Sequence, residues 1–193
     1  MHPQPKILTF SGSSRTPSFN KLLARQAAEF AKSAGAEVTF IDLRDFPMPI
    51  YDGDLEAASG LPENAKKLKA LFLAHDGLLI ASPEYNSSLT SLLKNSLDWV
   101  SRPSPGEAPL AAFQSKTAAL LSASPGALGG LRGLVHLRAI LTNIGVLVLP
   151  DQLAVSKAHE AFDANGALLD PKQRAALERI AKQLVTTTAK LAS

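Results

Sequence analysis

The sequence predicts a three-layer α/β/α fold around a five-stranded parallel sheet. Short apolar runs of strand length alternate five times with longer segments whose apolar residues recur at helical spacing. Such alternation is typical of a parallel sheet with helices on both faces. The chain has 193 residues, 46% of them hydrophobic, which suits a single domain over residues 1–193.

The composition argues against several classes of protein. The formal charge is +3 without any dense Lys/Arg run, so no nucleic-acid partner is expected. The absence of cysteine excludes disulfides, thiolate catalysis and cysteine-based metal sites. No apolar run approaches the roughly 18–20 residues that span a bilayer, and the N-terminus has no secretory pattern. We expect a cytoplasmic protein without a membrane partner.

The first half of the chain is predicted to form two strands, two helices and a long connection. In order these are a strand at 6–10, a helix at 19–34, a strand at 37–42, the connection at 43–62 and a helix at 63–74. The first helix should end at Gly35, since glycine favours the left-handed C-terminal cap. The connection contains three prolines and two glycines, so we expect an irregular loop with little regular structure.

The second half is predicted to supply three more strands and three helices. In order these are a strand at 77–81, a helix at 88–100, a strand at 117–121, a helix at 131–143, a strand at 145–149, an extended segment at 151–169 and a last helix from 171. Pro150 is expected to stop the fifth strand, and Asn165-Gly166 to form a tight turn. Asp170, Pro171 and Gln173 match an N-cap, a first-turn proline and a capping-box partner.

Three common enzyme motifs are absent. The chain has no G-x-G-x-x-G after its first strand, no G-x-x-x-x-G-K-[ST] and no G-x-S-x-G. A dinucleotide fingerprint, a P-loop NTPase and a nucleophile elbow are therefore not supported.

The loop after the first strand is rich in hydroxyl groups and carries one arginine. Its polar residues are Ser11, Ser13, Ser14, Arg15, Thr16 and Ser18, and Asn20 follows in the helix. Hydroxyls, backbone amides and a guanidinium at a helix N-terminus suit a phosphate monoester. The alternative is an ordinary capped helix start, for which Ser18 alone would be enough.

The loop after the third strand, residues 82–88, provides an aromatic side chain and backbone amides. In the order 2-1-3-4-5, this loop and the loop after the first strand flank the switch point, where such folds hold FMN. A ligand with a phosphate tail and a flat polar ring would fit both loops. The alternative is an ordinary connection between a strand and a helix.

Four motifs resemble those of a known family. They lie at residues 12–20 (GSSRTPSFN), 82–86 (SPEYN), 94–99 (KNSLDW) and 124–130 (SPGALGG). Together they resemble the NADPH-dependent FMN reductase family, which has a flavodoxin-like fold with the strand order 2-1-3-4-5 and includes chromate, quinone and azo reductases. The resemblance covers roughly residues 5–150, most of the chain.

The resemblance implies that three loops surround FMN. The residues implied at the phosphate and ribityl end are Gly12, Ser13, Arg15, Ser18 and Asn20. The residues implied around the isoalloxazine edge are Pro83, Glu84, Tyr85 and Asn86. The residues implied on the far side of the ring are Ser124, Gly126 and Gly129. Pro125 departs from the pattern, because it removes a backbone N–H from the third loop.

The resemblance also implies an activity and an assembly. NADPH or NADH would pass a hydride to FMN in a ping-pong scheme, and a small acceptor would then occupy the same place. The acceptor could be a quinone, a flavin, a nitro or azo compound, or chromate, and no catalytic side chain is required. A homodimer or homotetramer is implied, with the helix after the SPEYN motif near the subunit interface.

Two other functions are compatible with FMN or nucleotide binding. A flavodoxin-type electron carrier would bind FMN without turnover, but such carriers are usually acidic and this chain has a pI of about 9.2. If the chain were a non-enzymatic regulatory domain, the match of its SPEYN turn to the family would be a coincidence.

Glu84 could donate a proton or hold its loop in place, and packing explains Trp99 better than flavin contact. The histidines show no metal-ligand spacing, so no metal is expected.

Overall fold

Parallel pairing of five strands builds the centre of the molecule. A computed structural model describes residues 4–191. The strands are β1 (Lys6–Ser11), β2 (Glu37–Asp42), β3 (Gly77–Ala81), β4 (Thr117–Ala123) and β5 (Leu147–Val155). They lie in the order β2-β1-β3-β4-β5, and every neighbouring pair is parallel. The predicted strand order is confirmed.

Helices cover both faces of the sheet. They are α1 (Phe19–Ser33), α2 (Gly53–Ser59), α3 (Glu63–Leu73), α4 (Ser91–Ser101), α5 (Leu131–Asn143) and α6 (Pro171–Leu191). Helices α1 and α6 share one hydrophobic core with the sheet, whereas α3, α4 and α5 share the other. In β3, Leu79 faces the first core and Ile80 the second, and all five residues of that strand are buried. Burial on both faces explains why the strand is an unbroken apolar run.

The connection between β2 and α3 is more regular than predicted. It contains a 3₁₀ turn at Leu43–Asp45 and the short helix α2, so the expectation of little regular structure was wrong for these residues. Asp52 starts α2 because its carboxylate accepts a hydrogen bond from the Asp54 amide at 2.8 Å. The stretch before α2 is held by α4, since Trp99 donates its indole N–H to the Pro49 carbonyl at 2.8 Å.

The fifth strand runs through Pro150, which the sequence predicted as its end. β5 is an edge strand, and its pairing with β4 shifts register between Ala118 and Leu120, opposite the proline. Proline is tolerated at an edge or a bulge because no ladder N–H is needed there. The strand also starts later than predicted, because Gly145 has a φ of +94° and ends α5. Of the extended segment predicted at 151–169, only the part up to Val155 is strand.

Asn20 joins α1 to the end of β4. Its side-chain Nδ2 donates to the Ala123 carbonyl at 2.7 Å, and its Oδ1 accepts from the Ala123 amide at 3.0 Å. Both residues are buried. The side-chain amide thus supplies to Ala123 the two backbone hydrogen bonds that a neighbouring strand would otherwise provide.

We expect Asn20→Ala to lower the free energy of unfolding by roughly 2–4 kcal/mol, because two buried backbone groups lose their partners. Urea unfolding measures the change. Asn64→Ala is the matched control, since Asn64 also donates its side-chain amide to a backbone carbonyl, but at the surface. Equal losses for the two variants would contradict a special role for Asn20.

Candidate functional site

Three loops meet at the carboxyl edge of the sheet. Ser11 pairs with Ala81, and Ala81 pairs with Leu121, so β1, β3 and β4 reach this edge together. The loops after these strands enclose an open cleft. Its lining residues are Ser13, Arg15, Ser18, Phe19, Asn20, Pro83, Glu84, Tyr85, Ala123, Ser124 and Pro125.

Eight of the twelve residues predicted at the site line this cleft. They are Ser13, Arg15, Ser18, Asn20, Pro83, Glu84, Tyr85 and Ser124. The other four, Gly12, Asn86, Gly126 and Gly129, lie in the same loops but not on its walls. Their contact with a ligand stays a prediction.

The first loop presents unpaired donors at the start of α1. The Ser18 hydroxyl caps the helix by accepting from the Lys21 amide at 3.4 Å. The amides of Phe19 and Asn20 precede that bond and have no intrahelical partner. Arg15 is exposed beside them, and its guanidinium forms no ion pair within residues 4–191. The helix is capped as the simpler reading expected, and the free amides beside Arg15 are groups that can bind an anion.

Gly12 holds the first loop against α4. Its amide donates to the Ala81 carbonyl at 3.0 Å, and its own carbonyl accepts from the Thr90 hydroxyl at 2.6 Å. A Cβ at this position would lie 3.0 Å from the Cβ of Leu93, so close packing explains the glycine. Thr90 is also the N-cap of α4, where it accepts from the Leu93 amide.

The second loop turns sharply in a two-residue hairpin. The backbones of Tyr85 and Ser88 exchange hydrogen bonds of 2.9 and 3.0 Å, and Asn86 and Ser87 both have positive φ values of 49° and 67°. This conformation matches a hairpin turn of the type that favours asparagine at its first central position. Because the turn occupies residues 85–88, α4 begins at Ser91 and not at the predicted Ser88. Tyr85 lies at the mouth of the cleft, and 46% of the residue is exposed.

Glu84 connects the second loop to the start of α5. Its carboxylate accepts from the Gly133 amide at 3.1 Å and from the Arg132 guanidinium at 2.7 Å. The N-cap residue of α5 is Gly130, which has no side chain, so Glu84 supplies the capping oxygen from another loop. Burial raises the pKa of Glu84, but the hydrogen bonds from Arg132 and Gly133 outweigh that effect and hold the pKa below its ordinary value. These contacts favour a structural role for Glu84, which holds its loop to α5, over a role as a proton donor.

The third loop is shaped by its glycines. Gly129 has a φ of +63°, and a Cβ there would lie 2.7 Å from the Val155 backbone. Close approach to β5 therefore requires this glycine, whatever ligand is bound. Gly126 is different, since the nearest atom to a Cβ there would be the Ser124 hydroxyl at 3.6 Å. Pro125 lines the cleft between Ser124 and this open position.

The structure adds residues that the sequence did not assign to the site. Phe19 lines the cleft and stacks on Phe162, with ring centroids 6.1 Å apart. It also packs against the core that α1 and α6 share. Its place at the first helical position was the missed signal, because helical side chains point toward the N-terminus. Ala123 contributes to the site only through its backbone, and the residue type alone gives no signal for a backbone contribution.

The comparisons with known proteins agree with this geometry. A family model described as NADPH-dependent FMN reductase matches residues 5–160. An NAD(P)H-dependent FMN reductase of Pseudomonas aeruginosa is 37% identical over 175 residues, which cover 90% of each chain. The chain belongs to the NADPH-dependent FMN reductase family. It is therefore an oxidoreductase of the NAD(P)H-dependent FMN reductase and quinone reductase type.

Further members of the family and a solved structure support the same assignment. An NADPH:quinone oxidoreductase of Arabidopsis thaliana is 33% identical over 194 residues, covering 98% of this chain and 94% of that protein. A flavoenzyme NAD(P)H:acceptor oxidoreductase of Paracoccus denitrificans has a TM-score of 0.81 at 27% identity, covering 96% of this chain and 98% of the other. The flavodoxin-like fold is thereby confirmed.

The cofactors of this FMN reductase are FMN and NAD(P)H. The cleft fits an FMN molecule in its chemistry. One end offers the free amides of the first turn of α1 and the unpaired Arg15, which suit a dianionic phosphate. The other end offers the exposed ring of Tyr85 and the apolar Pro125, which suit a flat aromatic ring.

The remaining candidates are structural. Trp99 is fully buried and packs edge-on against Tyr51, with ring centroids 5.0 Å apart. His75 is buried between the Leu71 carbonyl and the Thr39 hydroxyl. Among residues 4–191, no group of three or more histidine or acidic side chains is placed to hold a metal ion. None of the helices in that range is long and apolar enough to cross a membrane.

We expect Glu84→Ala to destabilise the protein at pH 7 by about 1–2 kcal/mol, as for a lost helix cap. Since the folded-state pKa of Glu84 is lowered, its stabilisation is present above the unfolded pKa and is lost as pH falls through the folded one. The difference from wild type should therefore shrink in acid. Urea unfolding at pH 7 and at about pH 3 measures it. Glu29→Ala is the control, because its ion pair with Lys32 is exposed.

Proposed function

We propose that this chain binds FMN in the cleft between its three loops and transfers electrons from NAD(P)H to quinones and related small acceptors. The observation that carries the proposal is the polarity of the cleft, with an anion-binding end at α1 and an open aromatic end at Tyr85. A phosphate and a flat ring in one molecule match those two ends.

The proposed contacts divide the lining between the two ends. Ser13, Arg15 and Ser18 bind the phosphate, with the amides at the start of α1. Asn20 supports these residues without binding the phosphate itself, because both polar atoms of its side-chain amide already bind Ala123. Pro83 and Tyr85 border the ring, and Ser124 faces them across the cleft.

The chemistry needs little from the protein besides position and electrostatics. Bound FMN supplies the capacity to accept a hydride and to return electrons to a second substrate. The chain keeps one side of the cleft open, where NAD(P)H and then the acceptor bind in turn, which gives ping-pong kinetics. Glu84 holds its carboxylate on Arg132 and Gly133, so it serves the loop and not proton transfer.

The names of the relatives support quinones as the acceptors. A 2-hydroxy-1,4-benzoquinone reductase of Burkholderia is 34% identical over 174 residues, covering 90% of each chain. Several other relatives, including those of Arabidopsis thaliana and Escherichia coli, are named quinone reductases or quinone oxidoreductases. Chromate, flavin, nitro and azo compounds are also candidate acceptors.

We further propose a single domain over residues 1–193 that assembles as a homodimer or homotetramer. The exposed apolar side chains of Leu131 and Val135 on α5 support an assembly face near the second loop. A cytoplasmic location also stays a prediction.

The absorbance spectrum of the purified full chain tests the proposal. We expect a yellow protein that oxidises NADPH or NADH in the presence of a benzoquinone, with parallel double-reciprocal plots. Reduction by NADPH alone in the absence of oxygen should bleach the flavin. A colourless protein that ignores added FMN would contradict FMN binding, whereas a yellow protein without turnover would be an electron carrier.

We expect Arg15→Ala to weaken FMN binding by roughly ten- to a hundredfold, since a charge-assisted hydrogen bond is worth about 1.5–3 kcal/mol. Riboflavin, which lacks the phosphate, should bind the variant and wild type equally. Fluorescence titration of the flavin-free chain measures both affinities. Arg15 is preferred to Ser18 for this test because Ser18 also caps α1. Equal FMN affinity in variant and wild type would remove Arg15 from the phosphate site.

A further inference from the structure

Arg44 reaches from the end of β2 to the exposed part of the first loop. Its Nη1 donates to the Thr16 hydroxyl at 2.9 Å, while its Nε and Nη2 donate to the Asp42 carboxylate at 3.2 and 3.0 Å. The planar guanidinium therefore spans the two groups, which an ammonium group could not do in the same geometry.

The exposed part of the first loop has little else to hold it. Residues 14–17 are exposed and belong to no helix or strand. Within residues 4–191, the Arg44 to Thr16 bond is the one hydrogen bond that joins this stretch to another segment. The loop is anchored at each end, by Gly12 on Ala81 and by Ser18 at α1.

Asp42 keeps the guanidinium in place. Its carboxylate also accepts from the Lys21 ammonium at 2.6 Å, and it receives the Arg44 backbone amide at 3.0 Å. Burial raises the pKa of Asp42, yet the hydrogen bonds from Arg44 and Lys21 outweigh it and lower the pKa to about 2. The carboxylate is thus charged at every pH at which a phosphate monoester is a dianion, above its second pKa of about 6.

We propose that Arg44 is a positioning residue that braces Thr16 and so fixes the phosphate-binding loop, which sets the preference for FMN over riboflavin. The inference rests on the proposed function, because it places the FMN phosphate in this loop. Arg44 acts through Thr16, because the hydrogen bond to Thr16 holds the preceding residue, Arg15, beside the start of α1. Fixing the loop before binding reduces the entropy lost when the phosphate arrives.

Two pairs of variants separate this brace from a simple charge effect. Thr16→Val removes the hydroxyl and keeps the charge of Arg44, whereas Thr16→Ser keeps the hydroxyl. Arg44→Ala removes the brace and the charge, whereas Arg179→Ala removes an exposed arginine of α6 that pairs with Asp151 at 3.6 Å. Titration of each flavin-free full chain with FMN and with riboflavin gives the two dissociation constants.

We expect Thr16→Val and Arg44→Ala each to weaken FMN binding roughly tenfold, the size of one lost hydrogen bond. Riboflavin binding should be unchanged. The double variant should be no weaker than Arg44→Ala alone, because both changes break the same contact. Thr16→Ser and Arg179→Ala should behave as wild type.

Two results would overturn the inference in distinguishable ways. If wild type prefers FMN and Thr16→Val keeps that preference, the brace is wrong while the proposed function stands. If wild type binds FMN and riboflavin equally, the phosphate site itself is misplaced and both proposals fail. Should Arg44→Ala not fold, Thr16→Val decides alone, since it alters one exposed loop residue.

Discussion

The parallel pairing of β1, β3 and β4 is the constraint on which the site depends. Because the strands run in register and end at one edge, three loops that are far apart in the chain converge there. Helix dipoles and free amides converge with them, since each loop leads into a helix N-terminus. The backbone pairing therefore creates a place for an anionic, partly aromatic ligand before any side chain is chosen.

Many of the residues around the cleft hold its loops in place. Gly12 and Thr90 join the first loop to α4, Asn20 joins α1 to β4, and Glu84 joins the second loop to α5. Within residues 4–191, the side chains of Arg15 and Tyr85, at the two ends of the cleft, have no hydrogen-bond or ion-pair partner. This separation gives a site that is formed before the ligand binds.

The strand order and most of the cleft lining were implied by the family resemblance. The sequence itself predicted the strands and the three loops, because alternating periodicity and loop composition are local signals. It could not predict contacts between distant residues. Asn20 and Ala123 are 103 positions apart, and nothing local shows that one amide side chain satisfies the other backbone. Pro150 misled the prediction of β5 because its tolerance depends on the strand lying at the sheet edge with a register shift. The helix α2 was missed because prolines and glycines outweighed the cap at Asp52.

The same proline has a consequence for how molecules of this protein meet in solution. An open edge strand invites the strand of another chain to add to the sheet. At the β5 edge, Pro150 has no N–H to offer, and the Arg138 guanidinium takes the Leu149 carbonyl at 2.7 Å and the Pro150 carbonyl at 3.4 Å. The middle of the edge is thus poorly able to pair, which disfavours growth of the sheet on this side.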